Sequence, residues 1–297
     1  MFTSKDVMEL RKKTGAGVAD CQKALKETDG DMEKAVDFLR EKGIATAAKK
    51  ASRIAAEGIV AAKVEGNTGV LVEVNCETDF VAKGDQFIAV VNDVAEYVLA
   101  NDVASDEALQ EAKKDETIAA TAKIGEKIAI RRFAKFSSET GVVTSYIHMG
   151  GKVGVLVEID GCTCSAAQEL AHDVALQVAA SKPLYLVPAD VPAEVIEKEK
   201  EILLAQIEND EKLRSKPEMV KVKMVEGKVG KYYDENCLMK QAFIKDPSLT
   251  IEKLVKETSA KMGKELSIKR FVRFEMGEGL EKRSDNFAEE VAAQMKK

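Results

Sequence analysis

G66-N-T-G-V-L-V-E-V-N75 recurs as G151-K-V-G-V-L-V-E-I-D160, with six of ten positions identical at an offset of 85 residues. Two further matches lie in the same chain. V91-N-D-V-A-E-Y-V-L-A100 pairs with A171-H-D-V-A-L-Q-V-A-A180 at an offset of 80, and I124-G-E-K-I-A-I-R-R-F-A-K-F136 with M262-G-K-E-L-S-I-K-R-F-V-R-F274 at 138. Three matches in one order mark a duplicated module.

In each copy, alternating apolar and polar residues over 58–65 and 142–149 predict a first strand, and 69–74 and 154–159 a second. A helix follows, and the third match, with its alternating Ile and Phe, predicts a closing strand. The unit is β-β-α-β, an α+β layer in which helices cover one face of an antiparallel sheet. The fall in offset from 85 to 80 gives the first copy five additional residues, within Thr78 to Phe87, between second strand and helix. The rise from 80 to 138 gives the second copy 58 additional residues, within roughly 184 to 250.

That second insertion has its own pattern. Val191 to Leu213 predicts a charged helix with Val195, Ile196, Ile202, Leu203 and Ile207 on its apolar face, broken at Ser215-Lys216-Pro217. A second helix places Val222, Val225, Val229 and Tyr232 three and four residues apart. Two helices joined by a tight turn should pack as a projecting, antiparallel coiled-coil arm.

Ahead of the repeat, residues 4 to 42 predict three short helices. Ser4 caps the first, which carries Val7 and Leu10 and ends at Thr14-Gly15. Val18, Cys21, Ala24 and Leu25 mark a face of the second. Asp31 caps the third, with Met32, Ala35, Val36 and Leu39 inward and Gly43 closing it. A helical linker over 44–56 leads to the repeat, and a last amphipathic helix is expected over Asp285 to Met295, with Phe287, Val291 and Met295 four apart. The expected division is a three-helix domain and linker over 1–54, a first half-core over 55–140, and a second over 141–183 and 234–276. The arm occupies 184–233, and a C-terminal helical module 277–297.

With 45 basic and 51 acidic residues the formal charge is −6, which argues against nucleic acid as the main ligand. The local cluster Lys49, Lys50 and Arg53 reads either as an RNA contact or as a solvated helical face. Five cysteines at irregular spacing, with no apolar presequence, fit a reducing cytoplasm rather than a disulfide framework. No run approaches the length of a membrane span.

Catalytic and metal-binding patterns are scarce, so the chain reads as a binding protein and not an enzyme, with no metal or cofactor. The only histidines are His148 and His172. Cys162-Thr-Cys164 lacks the second pair that a zinc site needs, although a thiol enzyme using Cys162 or Cys164 is a competing reading. Attention falls on Thr78-Asp79-Phe80-Val81, inside the copy-specific extension. Phe80 either tucks into the core, or the loop presents an aromatic wedge and a carboxylate to a partner.

T14-G-A-G-V-A-D-C-Q-K-A-L25, N75-C-E-T-D-F-V-A-K83, A179-A-S-K-P183 and R273-F-E-M-G-E-G-L-E-K282 closely resemble the elongation factor Ts family, the guanine-nucleotide exchange factors of bacterial elongation factor Tu. The resemblance covers essentially the whole chain. It implies that the N-terminal bundle is similar to ubiquitin-associated (UBA) domains, and that Thr78, Asp79, Phe80 and Val81 intrude beside the partner's magnesium and nucleotide site. Further partner contacts are implied at Lys23, Ile124, Gly125, His148 and Phe287. A contact between arm and last helix is implied at Ile244-Lys245, where Lys245 departs from the apolar residue of the family. The partner would be elongation factor Tu, GDP-bound and nucleotide-free, with no nucleotide held by this chain itself. The arm's apolar stripe also resembles a dimer seam, leaving open a dimer of heterodimers. The alternative is a UBA-like peptide-binding adaptor without exchange activity.

Overall fold

The computed structural model describes residues 2–281. The expected helix over Asp285 to Met295, with Phe287, lies outside the described residues. α1 (Ser4–Thr14), α2 (Val18–Glu27) and α3 (Met32–Lys50) form a small bundle around Val7, Leu10, Cys21, Ala24, Leu25 and Ala35. The cap of α1 is Thr3 rather than Ser4. Its backbone N–H donates to Asp6 Oδ2 at 2.7 Å while its hydroxyl accepts from the Asp6 N–H, a reciprocal capping box. Val18, expected inward, is exposed because it occupies the first turn of α2. Gly43 does not close α3, which continues to Lys50. Gly43 is buried in mid-helix against Ala122, so tertiary packing outweighs the roughly 1 kcal/mol that glycine costs there.

The first half-core comprises β1 (Glu57–Glu65), β2 (Thr68–Cys76), α4 (Asp79–Ala82), α5 (Asp85–Ala100), α6 (Asp106–Ala112), α7 (Lys114–Ile124) and β3 (Ala129–Ser137). The second begins with β4 (Val142–His148), β5 (Val153–Asp160) and α8 (Ser165–Ser181). The insertion supplies α9 (Ala193–Asn209), α10 (Glu211–Arg214) and α11 (Glu218–Asn236), and a short hairpin of β6 (Ala242–Phe243) and β7 (Asp246–Thr250) follows. α12 (Ile251–Met262) and β8 (Ser267–Glu275) complete the second half-core.

The two main sheets have the orders β1-β2-β3 and β4-β5-β8, antiparallel throughout. Their registers repeat with the sequence. Glu73 pairs with Arg132 and Val74 with Ile130 across a bulge; Glu158 pairs with Arg270 and Ile159 with Ile268 across another. Both halves carry a helix beyond the β-β-α-β expectation at an equivalent position, α7 and α12, ending at left-handed Gly125 and Gly263, and the first half adds the short α4 and α6.

One face of each sheet is covered by its own long helix. Phe87, Val91, Val94 and Val98 of α5 pack with Val70, Val72 and Val74. Leu170, Val174 and Val178 of α8 pack with Val155, Val157 and Ile159. The other faces meet each other through Val60, Leu71, Phe136, Val143, Leu156 and Phe274. With both faces covered, β2 and β5 are buried along most of their length and read V-L-V-E-V and V-L-V-E-I rather than alternating strictly. The wholly buried Glu73 and Glu158 are each matched by an arginine Nε at 2.6 Å, from Arg132 and Arg270.

The arm is a helical hairpin around Ile196, Leu203, Ile207, Val225 and Val229. Ile202 and Val222, both expected on the apolar face, are 44% and 46% exposed. The stripe is narrower than the residue types suggest, and each of the two lies one or more positions outside it.

Candidate functional site

Cys76 ends β2, and the five-residue extension of the first copy becomes the single-turn helix α4. Thr78 caps it, its hydroxyl accepting from the Val81 N–H at 3.3 Å. This cap aims Phe80 outward, and the ring is 83% exposed while Ala82 and Phe87 are buried. The core reading of Phe80 is overturned: Phe87 takes that place.

The loop is held from behind by two carboxylates. Glu126 Oε2 accepts from the backbone N–H groups of Glu77 and Thr78 at 3.1 and 3.0 Å, and its Oε1 accepts from the Thr78 hydroxyl at 2.7 Å. In return, Glu77 Oε1 accepts from the Lys127 N–H at 2.7 Å, and the Arg53 guanidinium bridges both Glu77 oxygens. These charge-assisted bonds tie α4 to the turn after α7. Beneath them, burial pushes the Cys76 thiol up to about 12, which leaves it neutral.

Asp79 lies in the first turn of α4 and pairs with Lys83 at 2.6 Å, both partly exposed. The hydrogen bond from Lys83 holds the Asp79 carboxyl below its ordinary range, so it is a fixed negative charge beside the Phe80 ring. Ile124 is half-buried, and Gly125 caps α7 in the left-handed conformation that favours glycine. Since Glu126 follows directly, the fold brings Ile124-Gly125 and Thr78 to Val81 together. The basic linker is part of the same latch: Lys50 bonds the Gly125 carbonyl, and Lys127 Nζ bonds the carbonyls of Ala51 and Arg53.

The other expected residues are placed separately. His148 is exposed at the end of β4, its Nδ1 3.0 Å from the Tyr146 hydroxyl, and Tyr146 also meets exposed His172 of α8 edge-on. Ile244 is 42% exposed in the β6–β7 turn, where its N–H donates to Gln177. Lys245 pairs with Asp173 at 2.6 Å, which gives the departing lysine a partner within its own half-core. Lys23 is exposed on α2. Cys162 and Cys164, expected as thiols, are joined in a disulfide, while Cys21, Cys76 and Cys237 are free and buried.

Glu126, Glu77 and Lys83 went unrecognised in the sequence reading. The available signal was a difference between copies: Glu126 aligns with Lys264 and Glu77 with Cys162.

The family model described as Elongation factor TS matches residues 77–278, from the latch through the rest of the first half-core, the second half-core and the arm. The chain belongs to the elongation factor Ts family. The Elongation factor Ts of Symbiobacterium thermophilum is 53% identical over 301 residues, covering 99% of this chain and 98% of that protein. Those of Clostridium novyi and Clostridium perfringens strain SM101 are 49% and 50% identical, each aligned over nearly its full length. The chain is thus akin to translation elongation factors along its whole length, N-terminal bundle included. No described helix is long and apolar enough to cross a membrane.

Proposed function

We propose that this chain promotes exchange of GDP for GTP on elongation factor Tu by inserting α4 beside the partner's magnesium and nucleotide site. The observation that carries this reading is Phe80: a large apolar side chain, 83% exposed, on a turn latched by Glu126 and Glu77. Holding such a side chain in water is unfavourable for the free protein, and burial against a partner would recover on the order of 2 kcal/mol. Because the turn is rigidified beforehand, little further ordering is needed on binding.

Exchange then follows from reciprocal coupling. A factor that binds nucleotide-free partner more tightly than GDP-bound partner weakens GDP binding by the same ratio, with no covalent step and no nucleotide bound to this chain. Phe80 supplies the wedge, Asp79 the negative charge near the magnesium, and Gly125 and Ile124 the adjoining wall. Lys23, His148, Ile244 and Phe287 would add remote area that offsets the distortion of the nucleotide site. Such a factor works in the cytoplasm, as a single heterodimer or as a pair joined through the arms.

The test is release of labelled GDP from purified elongation factor Tu. Phe80→Ala should slow stimulated release far more than it weakens the complex. Unchanged stimulation by this variant would count against the wedge.

A further inference from the structure

The second half-core carries a different device at the place equivalent to the latch. Cys162 aligns with Glu77 and Lys264 with Glu126. Where the first copy joins these positions by carboxylates, the second has two joined sulfurs, Cys162 and Cys164, beside an ammonium group. Lys264 Nζ is 3.8 Å from Cys162 Sγ, and the Cys164 N–H points at the same sulfur at 3.0 Å. Gly161, with φ of 108°, allows the close approach, since a Cβ there would strike the Glu265 carbonyl. Cys164 is the residue before the 17-residue helix α8, whose first-turn N–H groups favour negative charge.

We propose that Cys162 and Cys164 form a reversible thiol–disulfide site that exchanges electrons with small thiols or protein dithiols. This reading goes beyond nucleotide exchange and does not depend on it. Cys162 is 5% exposed and Cys164 half-buried, so an incoming thiolate reaches Cys164 Sγ first. A new S–S bond forms there as the Cys162–Cys164 bond breaks, and Cys162 leaves as a thiolate. That thiolate is placed to accept from the Cys164 N–H and the Lys264 ammonium, both of which favour a good leaving group. A second thiol attacks the mixed disulfide, releasing Cys164 and the oxidised reagent. Two electrons pass from the two thiols to the pair, and the thiols' protons balance those taken up by the cysteines. A bridge spanning only two residues closes almost no chain, so it adds little to the fold through unfolded-state entropy, in keeping with a redox role.

The test equilibrates the full chain in buffers of graded reduced-to-oxidised glutathione ratio, quenches with acid, alkylates, and reads the peptide bearing both cysteines by mass spectrometry. The pair should pass from disulfide to doubly alkylated dithiol as a two-electron couple. Lys264→Gln, checked for native circular dichroism, should lower the equilibrium constant for reduction by roughly threefold through loss of thiolate stabilisation. A pair fully reduced in every buffer, a pair captured only as mixed disulfides with glutathione, or a midpoint unmoved in Lys264→Gln would each overturn the proposal.

Discussion

The guanidinium carbon of Arg132 lies 4.2 Å from the centroid of Phe274, and that of Arg270 lies 4.2 Å from the centroid of Phe136. Each arginine neutralises the buried glutamate of its own half-core while stacking on an aromatic ring of the other. The two halves are therefore joined by a reciprocal contact in which neither can lose its share without exposing the other's charge. Arg132→Ala should destabilise the protein by about 3 kcal/mol, the lower end for a broken buried pair, because Arg131 still reaches Glu73 at 2.9 Å. Urea unfolding measures it, and a loss under about 1 kcal/mol would show the pair to be unimportant.

A second reciprocity concerns glycine. A Cβ at Gly69 would lie 2.7 Å from Val143 Cγ1 and 2.8 Å from Leu156 Cδ1, and one at Gly154 would lie 2.7 Å from Leu71 Cδ1 and closer still to Val60. Gly69→Ala and Gly154→Ala should each cost about 1–3 kcal/mol by overpacking the seam between sheets. Thermal melting compares them with Gly227→Ala, an open site inside α11 with no positive φ, where a Cβ should raise the midpoint rather than lower it.

Glu126→Ala removes three acceptor contacts from the α4 latch while leaving Phe80 and Asp79 in the chain. Stimulated GDP release should fall by roughly tenfold as the wedge loses its fixed position. Phe80→Ala, by contrast, should alter unfolding free energy by less than about 0.5 kcal/mol, being an exposed site. Large destabilisation by Phe80→Ala in a denaturant titration would mean that the ring has an unrecognised structural contact.

Hydrogen bonds from Arg273, then Lys182, hold the Glu275 carboxyl at about 2 against an ordinary 4.5. Its folded-state value is depressed, so its contribution is fully present above pH 4.5 and is lost as pH falls from there toward 2. Since the side chain is 40% exposed, solvent screening limits that contribution to under about 1 kcal/mol. Glu275→Gln should be less stable than the parent near neutrality, with the two converging near pH 2 in acid unfolding curves.

The strands and their duplication were legible because identity at a fixed offset reports pairing register directly. Phe80 was only half legible. The copy-specific extension located it, but its exposure depends on a cap and on Phe87 filling the core, both tertiary facts. Gly43 misled because a mid-helix glycine looks like a stop until its neighbour Ala122 is known. α7 and α12 were passed over because their few buried positions, Ala120 and Thr121 in one and Ile251 and Val255 in the other, make a weak periodic signal. The Glu126 latch joins residues 48 apart, beyond any local pattern.

Unbroken at Gly43, α3 is a rod of 19 residues, about 28 Å long. Its mid-section rests on α7, and its last residue, Lys50, grips the carbonyl immediately before Glu126. Mechanically this gives the N-terminal bundle the geometry of a handle, whose shaft meets the root of the α4 turn through the Gly43–Ala122 packing and the Lys50 bond as well as along the chain. A partner grasping that bundle would thereby set the angle at which Phe80 is presented.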